Sequence, residues 1–345
     1  MHIADGSSRK GFGITLRASK LDHMNIIEAW LEMKAQLPVL PIEGIGARYI
    51  YPFFVVLIVF EYFRAKELFD LKESWAGFVM GSVATVIRVI VNVFEITLFM
   101  LLFTWAAPLR ESMLGYTSLG WAWYIWVICL IADDHNFYWH HRLCHNVRIL
   151  WAAHLPHHSG RMFNLTVSIR NGWFISFFKP IYWLWMPLVG FEPIMIATCL
   201  IVNAFYQFFL HSQLVPSMPW YEKVFNTPYV HVVHHSSNAE YLDRNHGGIL
   251  TIWDRLYGTW QDPIPGVEPK YGISHDPDTY SPLTHNLFEF QEIWRDVKRA
   301  PGLRNKLMYI FGPPGWSHDG SSQTSRQLQE ALRIKAKPTA EAVPA

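Results

Sequence analysis

From its N-terminus the chain alternates polar stretches with apolar runs of very different length. Residues 1–47 hold no long apolar run, and Leu21–Gln36 has the spacing of a short amphipathic helix. Tyr49–Phe63 is strongly apolar, slightly short of the roughly 20 residues that cross a bilayer core. Ala76–Ala107 is apolar apart from Arg88, Asn92 and Glu95. It exceeds one straight crossing, so it either tilts or emerges well beyond one surface. Leu119–Ala132 stops at Asp133 and Asp134, and the Trp and Tyr near its start suit an interfacial belt. Trp173–Leu188 and Phe191–Leu210, separated by Val189 and Gly190, have the outline of a helical hairpin. From about Val215 the pattern breaks into short apolar pieces among Pro, Gly, Asp and His. The pattern predicts an all-α integral membrane protein, a multi-pass transmembrane bundle of about five hydrophobic segments with a cytosolic, histidine-rich helical cap.

Four regions follow from it: an N-terminal extension over 1–47, the principal membrane domain over 48–262, a soluble extension over 263–316 and a mobile tail over 317–345.

Composition sharpens the picture. Hydrophobic residues make up 51% and charged residues only 17% of the chain, which excludes global disorder. The competing architecture is a soluble all-α enzyme with deeply buried helices, and the lengths of the apolar runs argue against it. Twenty-nine basic residues against 28 acidic ones leave a formal charge of +1, too little to hold a nucleic acid backbone. Cys129, Cys144 and Cys199 form no closely spaced pair and sit in or beside apolar runs, so no disulfide framework is expected.

Histidine carries the chemical signal. Twelve of the 17 histidines lie between His135 and His246. Their spacing is His141-Arg-Leu-Cys-His145, His154-Leu-Pro-His157-His158 and His231-Val-Val-His234-His235. On a helix, positions i, i+3 and i+4 share a face, so each cluster can aim two or three imidazoles at one point. A lone histidine is more often a hydrogen-bonded residue on a packed helix, but three clusters reverse that expectation. Imidazole suits Zn, Cu, Fe and Ni alike. Eight or more ligands exceed what one zinc ion takes, which implies two metal ions or a shared pair.

The string from Asp134 through Tyr138, Trp139, His141 and His145, on through Trp151 and the second cluster to Asn164-Leu-Thr, resembles the fatty acid hydroxylase and sterol desaturase superfamily of membrane di-iron enzymes. The resemblance extends through the third cluster to Asp243-Arg-Asn245-His-Gly247 and Trp253-Asp254-Arg-Leu-Tyr-Gly258. Asn164 to Arg170 is most similar to the alkylglycerol monooxygenase branch and its bacterial relatives. The resemblance implies that His141, His145, His154, His157, His158, His231, His234 and His235 are iron ligands, with His211 as a ninth. It leaves His135, His140 and His246 as supporting or surface residues. Asp134, Asn164, Asp243 and Asn245 are the candidates for holding the outer ring nitrogens of ligand imidazoles.

The implied cofactors are two iron ions and O2, used to hydroxylate or desaturate a lipid. Two electrons must come from an external donor, a reductase or ferredoxin, because no dinucleotide fingerprint is present. The resemblance also allows tetrahydrobiopterin. The active site is expected to face the cytoplasm, where electron donors reside; the basic residues flanking the first run do not assign a side. The alternative from another class is a non-enzymatic metal transporter or store, which would carry ionisable groups along its spans. Here the clusters lie outside the apolar runs.

Overall fold

A computed structural model describes residues 49–336. The expected amphipathic helix at Leu21–Gln36 lies outside the described residues. The chain divides into two units, Met1–Leu57 and Ile58–Ala345. Of the first, the described part is the opening of helix α1, Tyr51–Arg64. Among the described residues the structure is helical, with no strand and one isolated bridge between Phe225 and Leu250.

Helix α2, Leu71–Leu114, explains the overlong apolar run. Asp70 caps its start by accepting from Lys72 N and Glu73 N, and Gly115 ends it in the left-handed conformation at φ 76°. Its 44 residues reach about 66 Å, more than twice the hydrocarbon thickness of a bilayer. It is the described helix long and apolar enough to cross a membrane. Its opening turns belong to the polar part of the molecule: Glu73 Oε1 accepts from Arg161 N at 2.7 Å, and Arg170 Nη1 donates to Glu73 O. At the far end, Arg110 donates to the carbonyls of Phe103, Thr117, Pro187 and Leu188, tying the last turns to the chain that follows.

Helix α3, Trp123–Asn146, begins apolar and continues through the two aspartates into the first histidine cluster. Asp133 is tolerated there because Trp183 Nε1 and Asn203 Nδ2 donate to it at 2.7 and 2.8 Å. Helix α4, Arg148–His158, turns back along α3. Short helix α5, Leu165–Ile169, is capped by Asn164, whose Oδ1 accepts from Thr166 N.

The hairpin expected from Trp173 to Leu210 is half correct. Its second arm is helix α8, Pro193–Phe209. The first arm is broken into α6, Ile175–Phe178, a tight 3-10 turn at Lys179–Tyr182 and α7, Trp185–Val189. Pro180 and Pro187 lack the N–H that a continuous helix needs. Buried Phe99, Ile125, Cys129, Trp183, Met186, Met195 and Ile196 join α2, α3, α7 and α8 in one apolar core.

The third histidine cluster lies on α9, Pro228–His234, followed by α10, Ile252–Tyr257. Helices α11, Pro282–Arg299, and α12, Gly302–Phe311, close over α4: Arg148 pairs with Glu289 and Asp296 at 2.7 and 2.6 Å. The stretch expected as a tail from residue 317 carries a regular helix, α13, Ser325–Ala336, with Gln329 Nε2 donating to Leu242 O.

Candidate metal centre

Four elements deliver the histidines. His141 and His145 project from one face of α3, one turn apart, and His154, His157 and His158 from α4. His211 follows α8 by two residues; α9 carries His231 and His234, with His235 as its C-cap. The structure brings all nine together in two groups. His141, His145, His154, His158 and His234 form one, and His157, His211, His231 and His235 the other, each with its possible ligand atoms within 4.8 Å of one another.

Within each group the Nε2 atoms face one another. In the first, His141 lies 3.1 Å from His154, His154 3.2 Å from His158, and His158 3.2 Å from His234. In the second, His157 lies 3.2 Å from His211, His211 3.3 Å from His231, and His231 3.1 Å from His235. A neutral imidazole has one N–H and one lone pair, so a chain of facing nitrogens cannot satisfy every member by mutual hydrogen bonding.

The outer nitrogens decide which face inward. His141 Nδ1 donates to His246 O at 2.9 Å, His234 Nδ1 to Arg244 O at 2.8 Å, His157 Nδ1 to Arg170 O at 3.3 Å and His211 Nδ1 to Gln207 O at 2.9 Å. Each such bond fixes the tautomer and leaves the Nε2 lone pair pointing into the group. Burial pushes His141, His154, His158, His211, His231, His234 and His235 well below the ordinary imidazole range, and His157 down to about 4. Neutral imidazoles with inward lone pairs are the form that ligates a cation. His145 Nε2 is buried with no hydrogen-bond partner. The donor set therefore fits a metal ion in each group.

Of the residues expected to hold outer ring nitrogens, Asp243 lies nearest that role, its Oδ1 3.6 Å from His145 Nδ1. The other three serve elsewhere. Asp134 accepts from Ile249 N, Leu250 N and Trp253 Nε1 at 2.6 to 2.9 Å. Asn164 caps α5 and donates to Leu68 O. Asn245 donates to the carbonyls of Val230 and Gln261 and accepts from Gln261 N. The correction has a physical reason: main-chain carbonyls of Gln207, Arg170, Arg244 and His246 already occupy the outer nitrogens of His211, His157, His234 and His141, and the carboxylates and amides hold the loops that supply them.

Asp254 is the clearest residue that sequence reasoning passed over, although it stood inside the quoted string. It accepts from His246 N and Gly247 N, both at 2.8 Å, and from Thr259 Oγ1 at 2.7 Å. Burial raises it to about 6. Together Asp134 and Asp254 clamp residues 246–250 so that the His246 carbonyl meets His141. Asp243 and Asn245 hold positive φ of 56° and 55°, a region their short polar side chains tolerate. Gly248 is required by space: a Cβ there would stand 2.7 Å from Phe137 and 2.8 Å from Asp134 Oδ1.

The three remaining histidines separate. His135 bonds to Tyr257 Oη at 2.9 Å and accepts from Trp139 Nε1, away from both groups. His140 points off the centre toward Tyr182 and Trp183. His246 is fully buried, its ring 5.2 to 5.7 Å from those of His141, His145 and His234, so it belongs beside the first group rather than at the surface.

A helical domain that gathers nine imidazoles into two facing groups, eight of them held neutral by burial, is built as a metal centre. Residues 126–259 match the fatty acid hydroxylase family, so the resemblance carried by the histidine clusters holds. Alkylglycerol monooxygenase of Xenopus tropicalis is 35% identical over 192 residues, 55% of this chain and 42% of that protein. The human alkylglycerol monooxygenase is 34% identical over 200 residues, 57% of this chain and 43% of its own. An ornithine lipid hydroxylase of Rhizobium tropici is 31% identical over 180 residues, covering 49% and 53% of the two chains. The chain thus spans about half the length, or less, of these relatives. No solved structure matches it.

Proposed function

We propose that the protein is a multi-pass membrane oxidoreductase that hydroxylates a lipid, with desaturation as the variant outcome, at two iron ions held by the nine clustered histidines. The observation that carries this reading is the division of nine imidazoles into two groups, two rings of each fixed by main-chain carbonyls so that their Nε2 lone pairs point inward. The names of the relatives supply the substrate class: alkylglycerols and ornithine lipids are both lipids. Exposed Val86, Phe94, Leu101 and Trp105 along α2, from 50 to 72% accessible, present the apolar surface that a bilayer covers.

When bound, the iron ions supply the activation of O2, and the balance is R–H + O2 + 2 e⁻ + 2 H⁺ giving R–OH + H2O. The rest falls to the chain. The Arg244, His246, Gln207 and Arg170 carbonyls hold four rings in position. Phe163, 1% exposed, lies 5.1 Å from the His235 ring and 5.7 Å from the His211 ring and keeps water from that side. Two electrons come from a separate donor, a reductase, a ferredoxin or a tetrahydrobiopterin. The histidine side faces the cytoplasm, where such donors are.

The test is direct. Purified protein in lipid discs should contain two iron atoms per chain and, with O2, reductant and an alkylglycerol or ornithine lipid, yield a product heavier by one oxygen or lighter by two hydrogens. Iron bound without oxygen consumption across a panel of lipids would instead indicate a metal store or carrier.

A further inference from the structure

Helix α1 supplies no ligand to the metal centre, yet it carries a fully buried carboxyl, Glu61. On an otherwise apolar helix such a group is costly unless its oxygens are matched. Both are matched, by two segments far apart in sequence: Oε1 accepts from Ser212 Oγ at 2.6 Å and Oε2 from Leu165 N at 2.7 Å. Each partner adjoins the second imidazole group. Ser212 directly follows His211, and its Oγ also accepts from Leu214 N. Leu165 stands two residues after Phe163, whose ring lies 5.7 Å from that of His211, 6.5 Å from His231 and 5.1 Å from His235. Gln213 Nε2 donates to Phe163 O at 2.6 Å and so joins the two segments to each other. Asn164, between Phe163 and Leu165, donates to Leu68 O just after α1, also at 2.6 Å. The first group is held from elsewhere, by the His246 and Arg244 carbonyls at the outer nitrogens of His141 and His234.

We propose that Glu61 is a positioning residue for one metal ion of the two: by holding Ser212 and Leu165 on its two oxygens it fixes the His211 ring and the Phe163 cover, and so governs how firmly the second group keeps its metal. The inference rests on the two-metal reading above. A carboxylate accepts at both oxygens at once, which a hydroxyl and a main-chain N–H converging on one point require. Leucine in its place would leave the Ser212 hydroxyl and the Leu165 N–H unmatched in a buried site. Residues 211–214 and 163–165 would then be free to shift, and the His211 ring and the Phe163 ring with them. Glutamine preserves the bridge. Its carbonyl accepts from Leu165 N, and its NH2 donates to Ser212 Oγ, a hydroxyl that can turn to accept. Nothing that Glu61 holds supports His141 or His234, so the effect belongs to one group.

Iron release without turnover tests this. The full chain in lipid discs is loaded with iron, kept free of O2 and mixed with excess chelator. Glu61→Leu should speed the release of one iron per chain about tenfold or more, the usual effect of removing a group that holds a ligand in place, and leave the other within about twofold. Glu61→Gln should stay within about threefold of wild type at both. Two further pairs assign the faster iron. Glu61→Leu added to His234→Ala, which keeps the second group, should release its single iron faster than His234→Ala alone. Added to His211→Ala, which keeps the first group, it should leave the rate unchanged. Equal acceleration at both groups, acceleration at the first alone, no acceleration, or Glu61→Gln as fast as Glu61→Leu would overturn the assignment. Should Glu61→Leu not fold, Ser212→Ala removes one of the two bonds with Glu61 in place, and the same comparison decides. Failure of the two-metal reading shows differently, as fewer than two iron atoms per wild-type chain before any chelator is added.

Discussion

His158 of the first imidazole group and His235 of the second stack nearly parallel, their ring centroids 4.3 Å apart and their planes inclined by 18°. Adjacent His157 and His158 divide between the two groups, as do adjacent His234 and His235, so α4 and α9 each serve both. The two groups are therefore held in one rigid relation, and removing a ring from one disturbs the packing of the other.

That relation sets the first expectation. His234→Ala should lower iron from two atoms per chain to about one and abolish turnover, and His211→Ala should do the same from the other group. Elemental analysis with product formation checks both, and full activity in either variant would refute the ligand assignment.

His135→Ala serves as the contrast. The side chain bonds to Tyr257 and Trp139 and meets the Trp253 ring edge-on, away from both groups. Iron content and most activity should persist, with a stability loss on the order of 1 kcal/mol, read by thermal unfolding.

The pH dependence has a definite sign. Burial holds His157 down to about 4, against roughly 6.5 for a free imidazole. Between those values its ring is neutral when folded and protonated when unfolded. Its stabilising contribution is thus complete above about pH 6.5 and is lost as pH falls toward 4. Seven other clustered rings shift the same way. Buried carboxyls act oppositely over about pH 6 to 4, with Asp133, Asp134 and Asp254 each raised to about 6 and Glu73 and Glu289 raised as well, but the clustered rings outnumber them. The metal-free protein should accordingly melt at lower temperature at pH 5 than at pH 7. An unchanged or higher melting temperature would contradict buried neutral rings.

Gly248→Ala should act at a distance. The added methyl would push on Phe137 and on Asp134 Oδ1, the acceptor of Ile249 N. A cost of roughly 1–3 kcal/mol is expected, as for overpacking elsewhere. The loop that supplies the His246 carbonyl to His141 should loosen, and iron should dissociate faster under a chelator than from wild type.

Substrate chain length supplies the fifth expectation. Each buried methylene contributes roughly 0.8 kcal/mol, so shortening the bound chain by four should weaken binding by about 3 kcal/mol, roughly a hundredfold. Equal kcat/KM on a water-soluble analogue without a chain would mean that the apolar segments serve only as an anchor.

The sequence by itself determined the helical class and the histidines that meet, because both are local. Helical spacing puts His141 with His145, and His154 with His157 and His158, on shared faces wherever the helices go. Long apolar runs likewise announce themselves without neighbours. The tertiary structure alone decided how the nine rings divide, since adjacent His157 and His158 join different groups and no spacing rule separates them. It alone decided that main-chain carbonyls orient the rings, because a carbonyl has no identity in the sequence. It moved Asp134, Asn164 and Asn245 from the imidazoles to the loops and a helix cap, and brought Asp254 into the clamp, since a carboxylate takes the donors that folding brings within about 3 Å. The unmatched atoms of Arg88, Asn92 and Glu95 likewise became visible only once α2 was packed among its neighbours, for an unsatisfied group is defined by what surrounds it.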